Sequence, residues 1–419
     1  MSRRVVITGI GPVTSIGIGK ADFWQNLLTG VRPQISRVPS ALAKTKSQVY
    51  IPFPEFSITD YGIPKYYDFL QPEDQLAILG TKLALEDAGF AIAFNDNRFS
   101  VPEAPDLAAI IGIGFTGLET AFHSYLAHMG IDYMSARQQR KVTYNRMVIP
   151  LLMNNSPAAW TSILYGCQGE SYTVSASCAS GTYAVGEAFR KIADGYCDTV
   201  ITGGVENLRD ESFAIFRGFD VLGALTRSET GDPQPFSQDR SGFLFAEGGG
   251  CILVLEELAH AQRRKAPVYA EILRYQANSD AYNIVHIEPS GEQIHRLLTH
   301  LIGREQIDYL NAHGTATTTN DEIEAQVIIR QFGDAPSQPT INSTKGILGH
   351  TIGASGAIEA AVTALSVSTN TIHPHTIDNP MQNLNLAAAT LEKHIARAVS
   401  VSYGFGGHNA GLLLGKYHG

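Results

Sequence analysis

The chemistry in this chain concentrates on one cysteine and two histidines, each set among small residues. Cys178 stands in Val174-Ser-Ala-Ser-Cys178-Ala-Ser-Gly-Thr-Tyr. A β-branched run leads into small residues, then the thiol, then a helical segment. That order puts the sulfur at a helix N-terminus, where unpaired N–H groups and the helix dipole favour thiolate over thiol. A lone cysteine is more often a small buried hydrophobe, and Cys167, Cys197 and Cys251 are read that way. His313 follows the apolar run 307–310 in Asn311-Ala-His313-Gly-Thr315, and Asn320-Asp321 reads as the N-cap of the next helix. Loops just past buried strands are where α/β proteins place ligand-facing groups, although a histidine there is commonly satisfied by its own loop. His350 lies in Lys345-Gly-Ile-Leu-Gly349-His350-Thr-Ile-Gly-Ala-Ser-Gly356-Ala-Ile-Glu359. Its glycines imply close backbone approach, and Lys345 with Glu359 suits a buried ion pair. Tyr403-Gly-Phe405-Gly406-Gly-His408 fits a loop of backbone donors, such as half an oxyanion hole. A cysteine with two histidines makes a nucleophile with polar helpers if the fold brings them together.

The elements that must do so are legible. Apolar runs at 5–8, 108–111, 172–174, 199–202, 251–255, 268–272 and 309–311 are mostly continuous, as in strands covered on both faces. Helical spacing runs over 75–88 up to Gly89, over 182–193 up to Gly195, and over 357–367. Strand and helix alternate along the whole length, which argues α/β layers. The Pro/Gly-rich patch 229–236 reads as a surface loop, and 123–150 as an excursion from the alternation. No internal repeat stands out. The 419 residues allow two or three domain-sized units or one composite fold. With 44% hydrophobic and 17% charged residues the chain is no disordered protein. Its 31 Lys+Arg against 40 Asp+Glu give a net charge of −9, which argues against nucleic acid as a partner. Four cysteines without a CxxC pair support neither a zinc ribbon nor a disulfide scaffold. With no secretory leader and no long apolar span, a cytoplasmic protein without a membrane association is expected.

Five blocks in order resemble the β-ketoacyl-acyl-carrier-protein synthases of the elongating KAS I/KAS II type, ketosynthases of the thiolase superfamily. They are Arg-Arg-Val-Val-Ile-Thr-Gly-Ile-Gly-Pro-Val-Thr-Ser-Ile-Gly at the start, Ala176-Ser-Cys178-Ala-Ser-Gly, and Pro235-Phe-Ser-Gln-Asp239-Arg240-Ser-Gly242-Phe243 with Glu247-Gly248. The histidine motifs with Lys345, and Gly404-Phe405-Gly-Gly-His-Asn, complete the set. The resemblance covers essentially the whole chain. It implies a five-layered α-β-α-β-α thiolase fold of two similar βαβαβαββ halves. Residues 1–256 would form one, with the nucleophile and an excursion over 115–170; residues 257–419 would form the other, with both histidines. It also implies a dimer. Cys178 would take the acyl chain as a thioester, and His313 and His350 would bind the malonyl thioester carbonyl and promote loss of CO₂. The amides of Cys178 and Phe405 would form the oxyanion hole, with Phe405 and Gly406 in the gating loop. Lys345 would act electrostatically, with Glu359 beside it; Thr315, Asp321 and Glu324 would support His313. No metal or tightly bound cofactor is implied, because an acyl carrier protein delivers both substrates on phosphopantetheine. Losing CO₂ generates a carbanion equivalent without a strong base, and imidazole N–H groups suit the enolate oxygen.

The departures are specific. Ser237 and Ser241 stand where relatives often have aspartate, and Ala246 where they have glycine. Glu119 falls near the distal acyl pocket, unless it faces solvent. The segment at Gly223 lacks a carrier-docking arginine, and Glu73 and Asp74 are acidic where many members are basic. These changes suggest a specialised type II polyketide or polyene ketosynthase, possibly paired with a chain-length-factor-like subunit; fatty-acid elongation is the other pathway. Arg137, Arg140 and Lys141 are candidates for docking an acidic carrier protein, against a plain solvated charge run. The main alternative is a non-catalytic chain-length factor, which normally lacks the cysteine at position 178. A degradative thiolase would need a late Cys-x-Gly, and the last cysteine here is Cys251. A KAS III or chalcone-type enzyme would use Cys-His-Asn.

Overall fold

The structure is a computed structural model that describes residues 3–40, 44–117, 147–375 and 377–419. Ten strands carry the architecture: β1 (Val5–Thr14), β2 (Ala108–Gly112), β3 (Ser171–Val174), β4 (Thr199–Asn207), β5 (Gly248–Glu257), β6 (Ala270–Ser279), β7 (Tyr309–Asn311), β8 (Thr340–Asn342), β9 (Arg397–Gly404) and β10 (His408–Gly415). Their spatial order is β8-β7-β9-β10-β6-β1-β5-β4-β2-β3. Counted outwards from the centre, β1-β5-β4-β2-β3 and β6-β10-β9-β7-β8 have the same topology. Among the described strands the two sets join where Val5–Ile7 pairs antiparallel with Ala270–Ile272. The chain therefore builds one motif twice, which composition and spacing had not shown.

The strands are apolar on both faces because both faces are covered. Along β5, Cys251, Leu253 and Leu255 join one core while Ile252 and Val254 join another. This is the two-residue alternation of a strand with no wet side. Between the two sets of strands lie α2 (Ser180–Ala193) and α6 (Ser355–Thr369). One outer layer contains α1 (Pro72–Asp87); the other contains α4 (Glu292–Ile302) and α5 (Thr318–Phe332), and the short α3 (Ala214–Val221) lies by the site. This is the five-layer order expected. The window Ile352–Thr369 is long and apolar enough to cross a membrane, and it is the central helix, buried on every side.

The central helices meet at their N-termini. A Cβ on Gly181 would lie 2.6 Å from the Ala357 amide, and one on Gly356 would lie 2.2 Å from Thr182 Oγ1. Only glycine allows this approach, and it brings the residues just before each helix together. The patch 229–236 is only partly a surface loop. Glu229 and Thr230 are exposed, but the chain then dives inward and Phe236 is fully buried, its amide donating to Asp321 Oδ2 at 2.7 Å. The proline and glycine content marked a turn and concealed an anchor.

Candidate active site

Cys178 lies in a single 3-10 turn, Ser177–Ala179, that runs into α2. Ser177 is held at φ +52°, a left-handed conformation for a residue with a side chain. Such strain persists only where the surroundings fix it. The Ser180 hydroxyl ties the turn by accepting the Ala176 amide at 2.8 Å and lying 2.7 Å from the Ser177 carbonyl. The helix N-terminus expected to favour thiolate is opposed by burial. Burial pushes the thiol up, against the Ser177 hydroxyl, the Lys345 charge and the Phe405 amide, all of which favour thiolate. The helix start is present, but the cleft closes over the sulfur.

His313 follows β7, and two buried carboxylates on α5 fix its loop. Glu324 accepts the amides of His313 and Gly314, both at 2.8 Å; Asp321 accepts those of Thr315 and Ala316 at 3.0 and 3.1 Å. Burial raises both, Glu324 to about 7. The expected N-cap at Asn320-Asp321 is one turn late. The capping position is Thr317, and Asp321 lies inside the helix because its carboxylate reaches back to the amides before it. Thr315 lines the cleft, with its hydroxyl 2.9 Å from that of Thr317.

Lys345 and Glu359 form the buried pair expected, with side chains only 3% and 2% exposed. An ammonium has three donors and no acceptor. Those of Lys345 reach Glu359, the His313 carbonyl at 2.8 Å and His313 Nδ1 at 3.3 Å. Nδ1 must therefore accept, which leaves the His313 ring proton on Nε2, the side away from Lys345. Burial, then the Lys345 charge, hold His313 and His350 well below the usual histidine range, so both are neutral at neutral pH. Their rings lie 5.7 Å apart and nearly perpendicular. His350 is held by its amide on the Leu244 carbonyl at 2.8 Å, by the Phe243 ring at 5.0 Å and by Ser355 Oγ, 2.9 Å from Nδ1.

Gly404 ends β9 against the Cys178 turn; a Cβ there would lie 2.7 Å from the Ala176 carbonyl and 3.2 Å from the Cys178 amide. The next residue, Phe405, lines the cleft with Cys178, and its amide favours the thiolate. Gly406 has φ +86° and its amide donates to the Ile284 carbonyl at 2.8 Å, so that amide is taken up within the turn. Cys178, His313, His350 and Phe405 line one cleft of about 160 Å³.

Several site residues were not singled out in the sequence. Phe219 walls the cleft 6.5 Å from Phe405, beside Phe243 of the 235–248 block. Glu206 accepts the amides of Gly114, Phe115 and Gly353, and burial pushes it up to about 8. A single carboxylate inside the apolar run of β4 was the available signal. Other expectations fall away from the cleft. Glu73 and Asp74 are buried and hold the Gly117 amide and the Ser156 hydroxyl, so they are not an acidic docking face. Ser237 and Ser241 tie loops, through Asp378 and the Arg227 amide. Glu119, Arg137, Arg140 and Lys141 lie outside the described residues. Among the described residues no cluster of His, Cys, Asp and Glu could hold a metal ion.

A strained thiol turn, two neutral imidazoles across the cleft and a doubled α/β motif define a condensing enzyme of the thiolase fold. The chain belongs to the β-ketoacyl synthase family: the model of that family's N-terminal domain matches residues 2–261, and that of its C-terminal domain residues 269–377. It is 34% identical to a 3-oxoacyl-[acyl-carrier-protein] synthase 2 from Rhizobium meliloti (strain 1021), over all of both chains. It is also 34% identical to one from Staphylococcus aureus (strain N315), over 99% of each. Among solved structures, the ishigamide ketosynthase/chain length factor is 27% identical with a TM-score of 0.84, and a β-ketoacyl synthase from Burkholderia phymatum STM815 is 28% identical with a TM-score of 0.83; each match covers all of both chains. The chain is an acyltransferase that forms carbon–carbon bonds.

Proposed function

We propose that this enzyme performs a decarboxylative Claisen condensation in which Cys178 holds the growing acyl chain. Cys178 Sγ attacks the incoming thioester, and the carrier thiol leaves with the cysteine's proton. The amides of Cys178 and Phe405 stabilise the oxyanion. Malonyl thioester then loses CO₂, with the enolate oxygen held by the imidazole N–H groups of His313 and His350. The enolate carbon attacks the acyl thioester, giving a 3-oxoacyl thioester on the carrier and a free Cys178. Lys345, with Glu359 behind it, fixes the His313 tautomer. The observation that carries this reading is one cleft shared by Cys178, the two neutral histidines and the Phe405 amide.

Phosphopantetheine on an acyl carrier protein brings both substrates, and no tightly bound cofactor takes part. The solved relative described as a ketosynthase/chain length factor supports a paired subunit as the partner, in a type II polyketide or polyene pathway; a homodimer in fatty-acid elongation is the other form of the same reading. Residues 1–256 and 257–419 act as its two halves, in the cytoplasm. The test uses Cys178→Ala. Condensation is abolished and no acyl adduct appears by mass spectrometry, while decarboxylation of malonyl-coenzyme A persists. Full condensing activity in that variant overturns the mechanism.

A further inference from the structure

The mechanism gives the two histidines one task, yet the groups behind them differ. Behind His313 stands an ammonium, which can only donate. Behind His350 stands a hydroxyl, Ser355 Oγ, at the first residue of α6 and buried. Ser355 Oγ also accepts the Thr351 amide at 3.2 Å and lies 3.0 Å from Thr351 Oγ1. A hydroxyl has one proton and two lone pairs. When the amide and hydroxyl of Thr351 fill both lone pairs, the Ser355 proton remains for His350 Nδ1. The ring proton of His350 then sits on Nε2.

We infer that Ser355 is a positioning residue that holds neutral His350 as the Nε2–H tautomer, so that it meets the malonyl carbonyl as a donor. The inference rests on the condensing reading above. The doubled motif supports it independently. Ala179-Ser180-Gly181 and Ala354-Ser355-Gly356 open the two central helices, each after a 3-10 turn. The turns begin at Ser177 and Ile352, with φ +52° and +46°. In both, the serine accepts the amide four residues back. In the first half its proton is placed for the Ser177 carbonyl, and the turn is merely tied. In the second half a histidine occupies the place where the proton goes. The same local device thus fixes a backbone in one half and an imidazole in the other.

The test separates decarboxylation from acyl transfer. Decarboxylation of malonyl-coenzyme A and acylation of Cys178 by an acyl-coenzyme A are measured for the wild type, Ser355→Ala, Ser355→Thr and Thr351→Val. Loss of the hydrogen-bond partner that orients a metal-bound histidine typically costs about 10–100-fold, and the same scale is taken for this metal-free imidazole. The expected result is a decarboxylation loss of about that size in Ser355→Ala, with acylation essentially unchanged and recovery in Ser355→Thr. Thr351→Val, which leaves α6 intact, should show a smaller loss of decarboxylation alone. Unchanged decarboxylation in Ser355→Ala, or an equal fall in both reactions, overturns the assignment. A wild type that does not decarboxylate malonyl-coenzyme A would instead sink the condensing reading.

Discussion

Replacing Lys345 by methionine separates its two roles, charge partner to Glu359 and tautomer lock for His313. The ion pair is almost fully buried, and among the described residues Glu359 Oε2 already has no hydrogen-bond partner. Removing one member of a buried pair costs about 3–5 kcal/mol, because the remaining charge is uncompensated. Here the remaining charge has an escape. Burial pushes Glu359 up to about 7 even with Lys345 beside it. Without the lysine it takes up a proton at neutral pH, which places the cost near about 3 kcal/mol at pH 7. The sign of the pH dependence follows. The folded variant keeps a proton that the unfolded chain has released above about 4.5, so its stability falls as pH rises. In the wild type that fall ends near 7; in the variant it continues, at up to about 1.4 kcal/mol per pH unit. Urea unfolding at pH 6, 7 and 8 should therefore show the gap between variant and wild type widening by about 1 kcal/mol or more over that range. Lys345→Met with Glu359→Leu should remove the widening and restore most of the stability. It should not restore malonyl decarboxylation, because His313 Nδ1 still lacks its donor. If the double variant recovers decarboxylation together with stability, Lys345 serves only as a counter-charge and the tautomer argument is refuted.

Two further outcomes follow from buried groups outside the cleft. His375 is held at about 4 by burial, with the Ser343 amide on Nδ1 at 3.0 Å and the Pro235 carbonyl 2.9 Å from Nε2. Because its folded value lies below the unfolded 6.5, it contributes stability that is lost as pH falls from 6.5 towards 4. The cost of His375→Gln, measured by urea unfolding, should shrink by about 2 kcal/mol from pH 7.5 to pH 5; a cost independent of pH contradicts a neutral buried His375. Gly356→Ala places a methyl against Thr182 and the Ser402 hydroxyl where the central helices meet, and thermal unfolding should show a loss of about 1–3 kcal/mol. No loss there would mean that the helices separate easily.

What was legible in the sequence follows from where each signal resides. The continuous apolar runs announced strands covered on both faces, because burial on two sides is written into every residue of such a strand. Cys178, His313, His350 and Lys345 were legible because their motifs are local, although their meeting in one cleft depends on pairings across the sheet that no local pattern encodes. The thiol's environment was misread for the same reason. A helix start is visible in sequence, whereas the burial that opposes it comes from side chains distant in the chain, Phe219, Phe243 and Ile352 among them. The burial of Glu73 and Asp74 is not visible in sequence, because burial of a carboxylate depends on distant partners.

The repeat was the missed signal with the largest consequence. Ala-Ser-Gly occurs before both central helices, three small residues in nearly 180 positions of separation, too short to argue from alone. The structure gives it weight, since each copy sits in a strained turn ahead of a helix and each glycine lies where the two helices touch. Superposing the turns by their shared Ala-Ser-Gly sets Gly353 opposite Cys178. A side chain at Gly353 is blocked, because its Cβ would lie 2.5 Å from the Gly114 amide and 2.7 Å from Glu206 Oε2. That carboxylate instead accepts the Gly353 amide at 2.8 Å. The fold therefore offers two equivalent helix starts, and Glu206 fills one of them. Only the first turn keeps room for a thiol, while the second supplies His350 and the hydroxyl behind it.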